Sequence, residues 1–200
     1  VNDVAALLEG LGHRVEEAMP RYDYRPHIEA AGVIWSVGTA AWVDAVAKSM
    51  GQQPDPSNLE SSIVATYEVG KRTNAVDYLA AVNHVHAVNR QIAPFFDDYD
   101  ILMTPTCAQP AWKLGEMDAN AEGLTLESWT DLVFGFCPFT QLFNATGQPA
   151  VSLPLAMNSG GLPIGVQFVG QWGGEALLYR LAGQLEQALP WNDRKPGICA

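Results

Sequence analysis

The sequence predicts an α/β domain, and three observations carry that prediction. The first twenty residues read helix, glycine, extended run, the rhythm of an α/β layer. The apolar run Asp100-Ile101-Leu102-Met103-Thr104 ends at Pro105 and reads as a buried strand feeding a loop. Two strand-forming runs, 150–157 and 163–169, flank Asn158-Ser159-Gly160-Gly161, a hairpin signal.

The elements follow in order. Val4, Leu7, Leu8 and Leu11 fall at i, i+3, i+4 and i+7, one apolar helical face, with Asp3 placed as N-cap and Gly12 as the C′ stop. Arg14–Met19 reads as a short strand closed by Pro20. Residues 28–50 are rich in Ala, Val and Trp and predict a helix that is apolar nearly all round, and so buried. Ser57-Asn58-Leu59-Glu60 has the spacing of a capping box, in which serine and glutamate each satisfy an orphan N–H, opening a helix that Gly70 breaks. A longer helix is predicted over 74–96, with Leu79, Val82, Val85, Ile92 and Phe96 on one side and Pro94 ending or kinking it. Residues 107–126 read as irregular, 127–136 as a short helix, and Asn144–Pro149 as turn chemistry. Pro154 and Pro163 cannot donate to a ladder, so their strands are expected at an edge or with an irregularity. Leu177, Leu178, Leu181 and Leu185 mark a final amphipathic helix, stopped by Pro190.

Composition bounds the function. With 200 residues, 48% of them hydrophobic, the chain has material for a core. Its charged fraction of 16% is low against the usual quarter, as expected of a piece largely buried in something larger. Eleven basic against 22 acidic residues give a net charge of −11, and no Lys/Arg cluster offsets it. Phosphate backbones and anionic membranes repel such a surface, so no nucleic acid is expected as a partner. No uninterrupted apolar run approaches the roughly 18 residues of a membrane span, so no membrane is expected either. Cys107, Cys137 and Cys199 are widely spaced, which predicts no metal site, no disulfide and no cofactor, and points to a reducing compartment, the cytoplasm. The chain enters a helix almost at Val1, so a native N-terminus is expected to lie elsewhere.

Nucleophile chemistry is hard to find. Ser36, Ser49, Ser57, Ser61, Ser62, Ser128, Ser152 and Ser159 all stand outside G-x-S-x-G, and none has a nearby lysine to activate it. On a helix, His84 and His86 point about 200° apart and cannot share a metal as i, i+4 histidines do; His13 and His27 stand isolated. Asp97, Asp98 and Asp100 are a carboxylate cluster or, the reading preferred, a solvated helix end, although negative charge at a helix C-terminus is unfavourable. Cys107 sits in a strand-end loop, where α/β folds place functional groups, but a free cysteine at an apolar site is the default. The residues alone describe an acidic α/β domain without an assignable activity.

A resemblance goes further. Phe143-Asn144-Ala145-Thr146-Gly147-Gln148-Pro149-Ala150-Val151-Ser152-Leu153-Pro154, followed by Gly161-Leu162-Pro163-Ile164-Gly165-Val166-Gln167-Phe168-Val169-Gly170, resembles the C-terminal hallmark of the amidase-signature family. Asp100–Thr106, with its Thr-Pro-Thr ending, resembles that family's aspartate-to-TPT strand. Leu11–Pro20 resembles the helix–strand after the signature region, and Leu189-Pro190-Trp191 with Arg194 and Pro196 resembles the tail. The pieces occur in the family's order across essentially the whole chain.

What the resemblance implies is a three-layer α/β/α fold with a mixed central sheet, residues 1–200 being its C-terminal portion. It also implies amide hydrolysis by a Ser–cisSer–Lys triad: one serine attacks the carbonyl, the lysine takes its proton, the bridging serine relays it, and backbone N–H groups hold the oxyanion. The Gly/Ser-rich stretch that carries this chemistry has no counterpart here, so no catalytic residue is carried over and the isolated chain is expected to be inactive. The family's C-terminal part supplies pocket walls. The candidates for substrate binding are Trp35 and Ser36, Thr106 and Cys107, and Phe139, Phe143 and Asn144; Asn144, Gly147 and Pro149 read equally well as turn-shaping residues. The implied partners are a small-molecule amide, the N-terminal part of the same enzyme, and further copies in a homo-oligomer. The alternative within the family is the glutamine-hydrolysing subunit of a tRNA-dependent amidotransferase, although Cys137-Pro138-Phe139 to Phe143-Asn144 resembles the free-standing hydrolases more. Hydrolases of linear or cyclic amide oligomers share the Leu-Pro-Trp tail. A non-catalytic interaction module is the reading from another class.

Overall fold

A computed structural model describes residues 1–195; Pro196 and Cys199 lie outside the described residues. The element order is α1 (Asn2–Gly10), α2 (Tyr24–Ser49), α3 (Ser61–Arg72), α4 (Ala75–Ile92), α5 (Phe95–Asp98), β1 (Ile101–Pro105), α6 (Leu126–Phe136), α7 (Gln141–Thr146), β2 (Ala150–Met157), β3 (Pro163–Gly170) and α8 (Glu175–Ala188). The chain divides into two compact units: residues 1–20, 92–111 and 137–195 in the first, 21–91 and 112–136 in the second.

The first unit is a sheet with helices. Its three strands run in the order β1-β3-β2, both pairings antiparallel. The predicted hairpin is β2–β3. Its register slips between Leu153 and Ala156, around Pro154, and Pro163 is the first residue of β3, positions where a missing N–H costs no ladder bond. Leu153, Leu155, Val166 and Phe168 from the strands pack with Val4 and Leu8 of α1 and Leu178, Leu181 and Leu185 of α8 in one buried cluster. Removal of this apolar surface from water is what holds the unit together.

The end of α1 follows the sequence closely. The N–H of His13 donates to the Leu8 carbonyl (3.0 Å) and that of Gly12 to Glu9 (3.0 Å), while Gly12 takes φ +92°, a Schellman stop. Three expectations in this unit are corrected. The N-cap is Val1, with Asp3 inside the first turn. Residues 13–20 form no strand, because a strand requires a ladder and, among the described residues, no backbone pairs with 14–20. Asn144 to Thr146, read as turn residues, are the last residues of α7, and the turn begins at Gly147, a left-handed C-cap with φ +85°.

The second unit is helical. α2 begins at Tyr24 rather than Ile28, because Pro26 is harmless in a first turn where N–H groups have no intrahelical partner. Contrary to the count of uninterrupted apolar residues, this 26-residue helix is long and apolar enough to cross a membrane by length and composition, with a mean hydropathy of 1.4 over 18 residues. It also carries Arg25, Glu29, Asp44 and Lys48, and it packs against α3 and α6. The expected all-round burial is not what the helix shows: Ile28, Ala30, Ser36, Ala40 and Val43 are buried, whereas Trp42 and Met50 beyond the helix end are exposed.

Gly70 does not break α3, which continues to Arg72. A Cβ at Gly70 would stand 2.0 Å from the Ser36 carbonyl oxygen and 2.8 Å from Ala40 Cβ, so the glycine lets two helices touch. The capping box at Ser57–Glu60 is also absent. Ser57 donates its N–H to Asp55 Oδ1 (2.8 Å) in a turn, and α3 starts later. Its first amides are satisfied at a distance: Ser61 N–H by Asn120 Oδ1 (3.1 Å) and Ser62 N–H by the Ala119 carbonyl (2.9 Å). Reciprocal capping occurs instead before α6, where the N–H of Ser128 donates to Thr125 Oγ1 (3.1 Å) and that of Thr125 to Ser128 Oγ (3.0 Å). Asn74 caps the helix predicted over 74–96, which is two helices, α4 and α5, parted at Pro94. The buried face of α4 is Ala81, Val85, Val88 and Ile92; Leu79, assigned to it from sequence, is exposed. His27 is not isolated: it is fully buried, with the Tyr22 ring edge-on at 5.6 Å and the His84 ring at 6.4 Å.

Candidate substrate pocket

β1 delivers Thr106 to the end of the first unit's sheet, and α7 delivers Phe143 and Asn144 to the same place. Between them lies a cavity of about 290 Å³, lined also by Thr140, Gln148, Ser152 and Gln167. Three of the seven residues proposed as pocket walls are thus brought together. Phe143 is buried and gives the cavity an apolar side; Asn144 is exposed at its rim.

The floor is a polar network across three strands. Thr106 Oγ1 and Ser152 Oγ lie 2.6 Å apart, although one stands at the end of β1 and the other in β2. They meet over β3 at Gly165, where a Cβ would approach each oxygen to 2.7 Å. Beside them Gln167, only 3% exposed, donates from Nε2 to Thr104 Oγ1 (3.0 Å) and to the Phe139 carbonyl (3.2 Å). Phe139 therefore serves the pocket through its backbone, by anchoring Gln167. The Thr146 hydroxyl lies against the Leu142 carbonyl (2.9 Å) and the Gln148 side-chain oxygen, which ties the end of α7 to the start of the next strand.

Cys107 follows Thr106 and is half-buried with a free thiol. Burial pushes the thiol above its ordinary value, and neighbouring Cys137 adds to the effect, so at neutral pH Cys107 is protonated and a poor nucleophile. Trp35 and Ser36 belong to the second unit. Trp35 packs on Phe134 with ring centroids 6.1 Å apart. Ser36 is fully buried, donates its hydroxyl to the Val33 carbonyl (2.9 Å), and forms the surface on which Gly70 rests.

Ser152, Gln167 and Gln148 escaped the sequence reading as pocket residues. A signal was present: each is a lone polar residue within an apolar strand or just before one, and two of them, Gln148 and Gln167, are buried, which for a polar group is informative. Chemically the pocket holds hydroxyls, amides and an aromatic wall, and its described lining contains no lysine or histidine. Among the described residues, no group of three or more His, Cys, Asp or Glu is placed to hold a metal ion.

Comparison with known proteins shows the family. The family model described as Amidase matches residues 1–179. A 6-aminohexanoate-cyclic-dimer hydrolase of Pseudomonas sp. (strain NK87) is 34% identical over 203 residues, covering 97% of this chain and 40% of that protein. A putative amidase AmiC of Mycobacterium leprae (strain TN) is 33% identical over 187 residues, covering 94% of this chain and 39% of its own length. The solved structure of a 6-aminohexanoate cyclic dimer hydrolase complexed with substrate superposes with a TM-score of 0.89 at 31% identity, over 98% of this chain and 42% of that one. The chain thus spans about two fifths of the length of the curated relatives it matches, and what it matches is the C-terminal part of amidase-signature enzymes. With the family's hallmark segments forming the pocket, and the family model running through most of its length, this chain belongs to the amidase family of hydrolases acting on carbon–nitrogen bonds.

Proposed function

We propose that the chain is the C-terminal portion of an enzyme that hydrolyses amide bonds by a Ser–cisSer–Lys mechanism. In this reading the remainder of the polypeptide supplies the triad, and residues 1–200 supply scaffold and pocket walls. The supporting observation is the cavity of Thr106, Phe143, Asn144 and Ser152, which is built from the segments that carry the family resemblance and contains binding groups without an activated nucleophile. The substrate class we infer is an uncharged linear or cyclic amide of an ω-amino acid. Its support is the likeness to 6-aminohexanoate-cyclic-dimer hydrolases and a pocket without a charged residue in its lining. A cytoplasmic location belongs to the same proposal and rests on the low number and wide spacing of the cysteines, Cys107, Cys137 and Cys199.

The test is hydrolysis of 6-aminohexanoate cyclic dimer and of simple aliphatic amides, by the full-length polypeptide and by the 200-residue chain. Turnover by the former and none by the latter is expected. Turnover by the chain alone, or a full-length protein inert towards every amide, overturns the reading.

A further inference from the structure

The pocket floor holds one hydrogen-bond acceptor that the fold itself leaves without a donor. Thr104 and Ser152 are the register partners of Gln167 on its two sides, so the three side chains stand in one row on one face of the sheet. Val166 and Phe168, which alternate with Gln167 along β3, turn to the other face and join the apolar cluster. Gln167 is therefore a polar residue only 3% exposed, on the cavity side of its strand. Its neighbours fix which way its amide points. The Phe139 carbonyl can only accept, and the Thr104 hydroxyl has its one proton on the Pro105 carbonyl (2.9 Å). Both therefore take hydrogens from Gln167 Nε2, at 3.2 and 3.0 Å, and both hydrogens of that nitrogen are used. A reversed amide would set its oxygen against the Phe139 carbonyl oxygen, acceptor against acceptor.

Oε1 is what remains of that side chain. Among the described residues it accepts no hydrogen bond, yet protein atoms do not enclose it, and Gln167 lines the cavity. Nearby, the Thr106–Ser152 pair uses one hydroxyl proton internally and keeps the other, so the floor offers a donor as well as an acceptor. An amide held by two bonds cannot turn to find another donor, and a ligand that displaces water without replacing its hydrogen bond leaves the oxygen unpaired at a cost. We infer that Gln167 is a specificity-determining residue whose Oε1 accepts the N–H of the bound substrate, so that the pocket selects amides carrying an N–H over esters, ketones and N,N-dialkyl amides of the same size. The apolar side given by Phe143 discriminates less, because a polar group left unpaired rejects an analogue more strongly than a missing methylene does. Thr104 touches no substrate in this reading and is a positioning residue that acts through Gln167. The inference deepens the proposed function and rests on it, in that it takes this cavity as the substrate pocket.

Equilibrium binding to the full-length protein tests it, with N-methylhexanamide and octan-3-one as probes, which differ only in NH against CH2. Hydrolysis of N-methylhexanamide is followed separately on the same preparation. Gln167→Met keeps the length of the side chain and removes its amide. It is expected to lower the amide-to-ketone affinity ratio about ten- to hundredfold, by weakening the amide alone. A ratio equal to that of the wild type overturns the inference, and so does an equal loss for both probes, which is what a merely structural role produces. If circular dichroism shows that Gln167→Met does not fold, Thr104→Val, which removes one of the two anchors of Nε2, is read in its place, and an unchanged ratio there overturns the inference. Because hydrolysis is read separately, an active enzyme whose ratio ignores position 167 sinks the acceptor but not the function, and an inert protein whose ratio depends on it does the reverse.

Discussion

Thr106 and Ser152 place their hydroxyl oxygens 2.6 Å apart across the central strand of the sheet, and Gly165 is the residue that lets them meet. A methyl group at 165 would lie 2.7 Å from both oxygens, inside any normal contact. Gly165→Ala is expected to part the pair and tilt the pocket floor. The cost is about 1–3 kcal/mol of stability by urea unfolding, typical of overpacking, together with a raised KM for amides in the full-length enzyme. Wild-type stability in the variant would show that the floor is soft.

Gly70 and Gly38 predict opposite signs for one substitution. Gly70→Ala forces a Cβ to 2.0 Å from the Ser36 carbonyl, a backbone atom that cannot swing aside, so a loss of about 3 kcal/mol or failure to fold is expected. A Cβ at Gly38, within α2, would meet no atom of the described residues within 4 Å, so Gly38→Ala is expected to add about 0.5–1 kcal/mol through helix propensity. Thermal unfolding of both variants checks the pair.

Asn144, in the last turn of α7, tests whether the pocket rim takes part in binding. Its side chain is exposed at the pocket rim, so Asn144→Ala is expected to change stability by less than about 0.5 kcal/mol. If the side chain holds the substrate, the loss of one hydrogen bond raises KM in the full-length enzyme about three- to tenfold. An unchanged KM leaves Asn144 as a residue of the last turn of α7 with no part in binding.

Asp44 accepts from Lys71 Nζ (2.6 Å) and from the Tyr67 hydroxyl (2.8 Å). Both hold its carboxyl below the usual carboxylate range, the lysine more strongly. A carboxylate whose pKa is depressed on folding contributes stability above its unfolded value and loses it as pH falls through the folded one. The stability difference between wild type and Asp44→Asn is therefore expected to be present at neutral pH and to fade progressively as pH falls below about 4, through the lowered folded value. The Lys71–Asp44 pair is about half exposed, so the difference should be small and should shrink with added salt.

Cys107 is expected to react slowly with iodoacetamide at neutral pH and faster as pH rises past the ordinary thiol value, because burial disfavours its thiolate. Cys137→Ser removes the secondary cause and should speed the reaction slightly. Peptide mass spectrometry resolves the two sites. Rapid alkylation of Cys107 near pH 7 would contradict the buried, unactivated thiol.

What could be read from the sequence was what local periodicity and turn stereochemistry dictate. The Leu faces of α1 and α8, the hairpin at Asn158–Gly161 and the Gly12 stop depend on neighbours within a few residues, and they stand where the sequence puts them. The strand expected at 14–19, the cap expected at Ser57 and the break expected at Gly70 failed for one shared reason. A ladder partner, an orphan amide's acceptor and the need for a close helix crossing are all set by residues far away in the chain.

The site divides in the same way. Thr106, Phe143 and Asn144 were legible because they lie in segments that resemble a family, but resemblance does not say which of them share a cavity. Ser152 joins Thr106 across 46 residues of sequence through the register of two antiparallel pairings, and Gln167 reaches Thr104 across 63. Sequence by itself determined the locally patterned elements such as α1, α8 and the β2–β3 hairpin, the acidic charge and the family. Tertiary structure decided the pocket, because pairing register places side chains that no local pattern relates, and a shift of one residue would turn each of them to the other face.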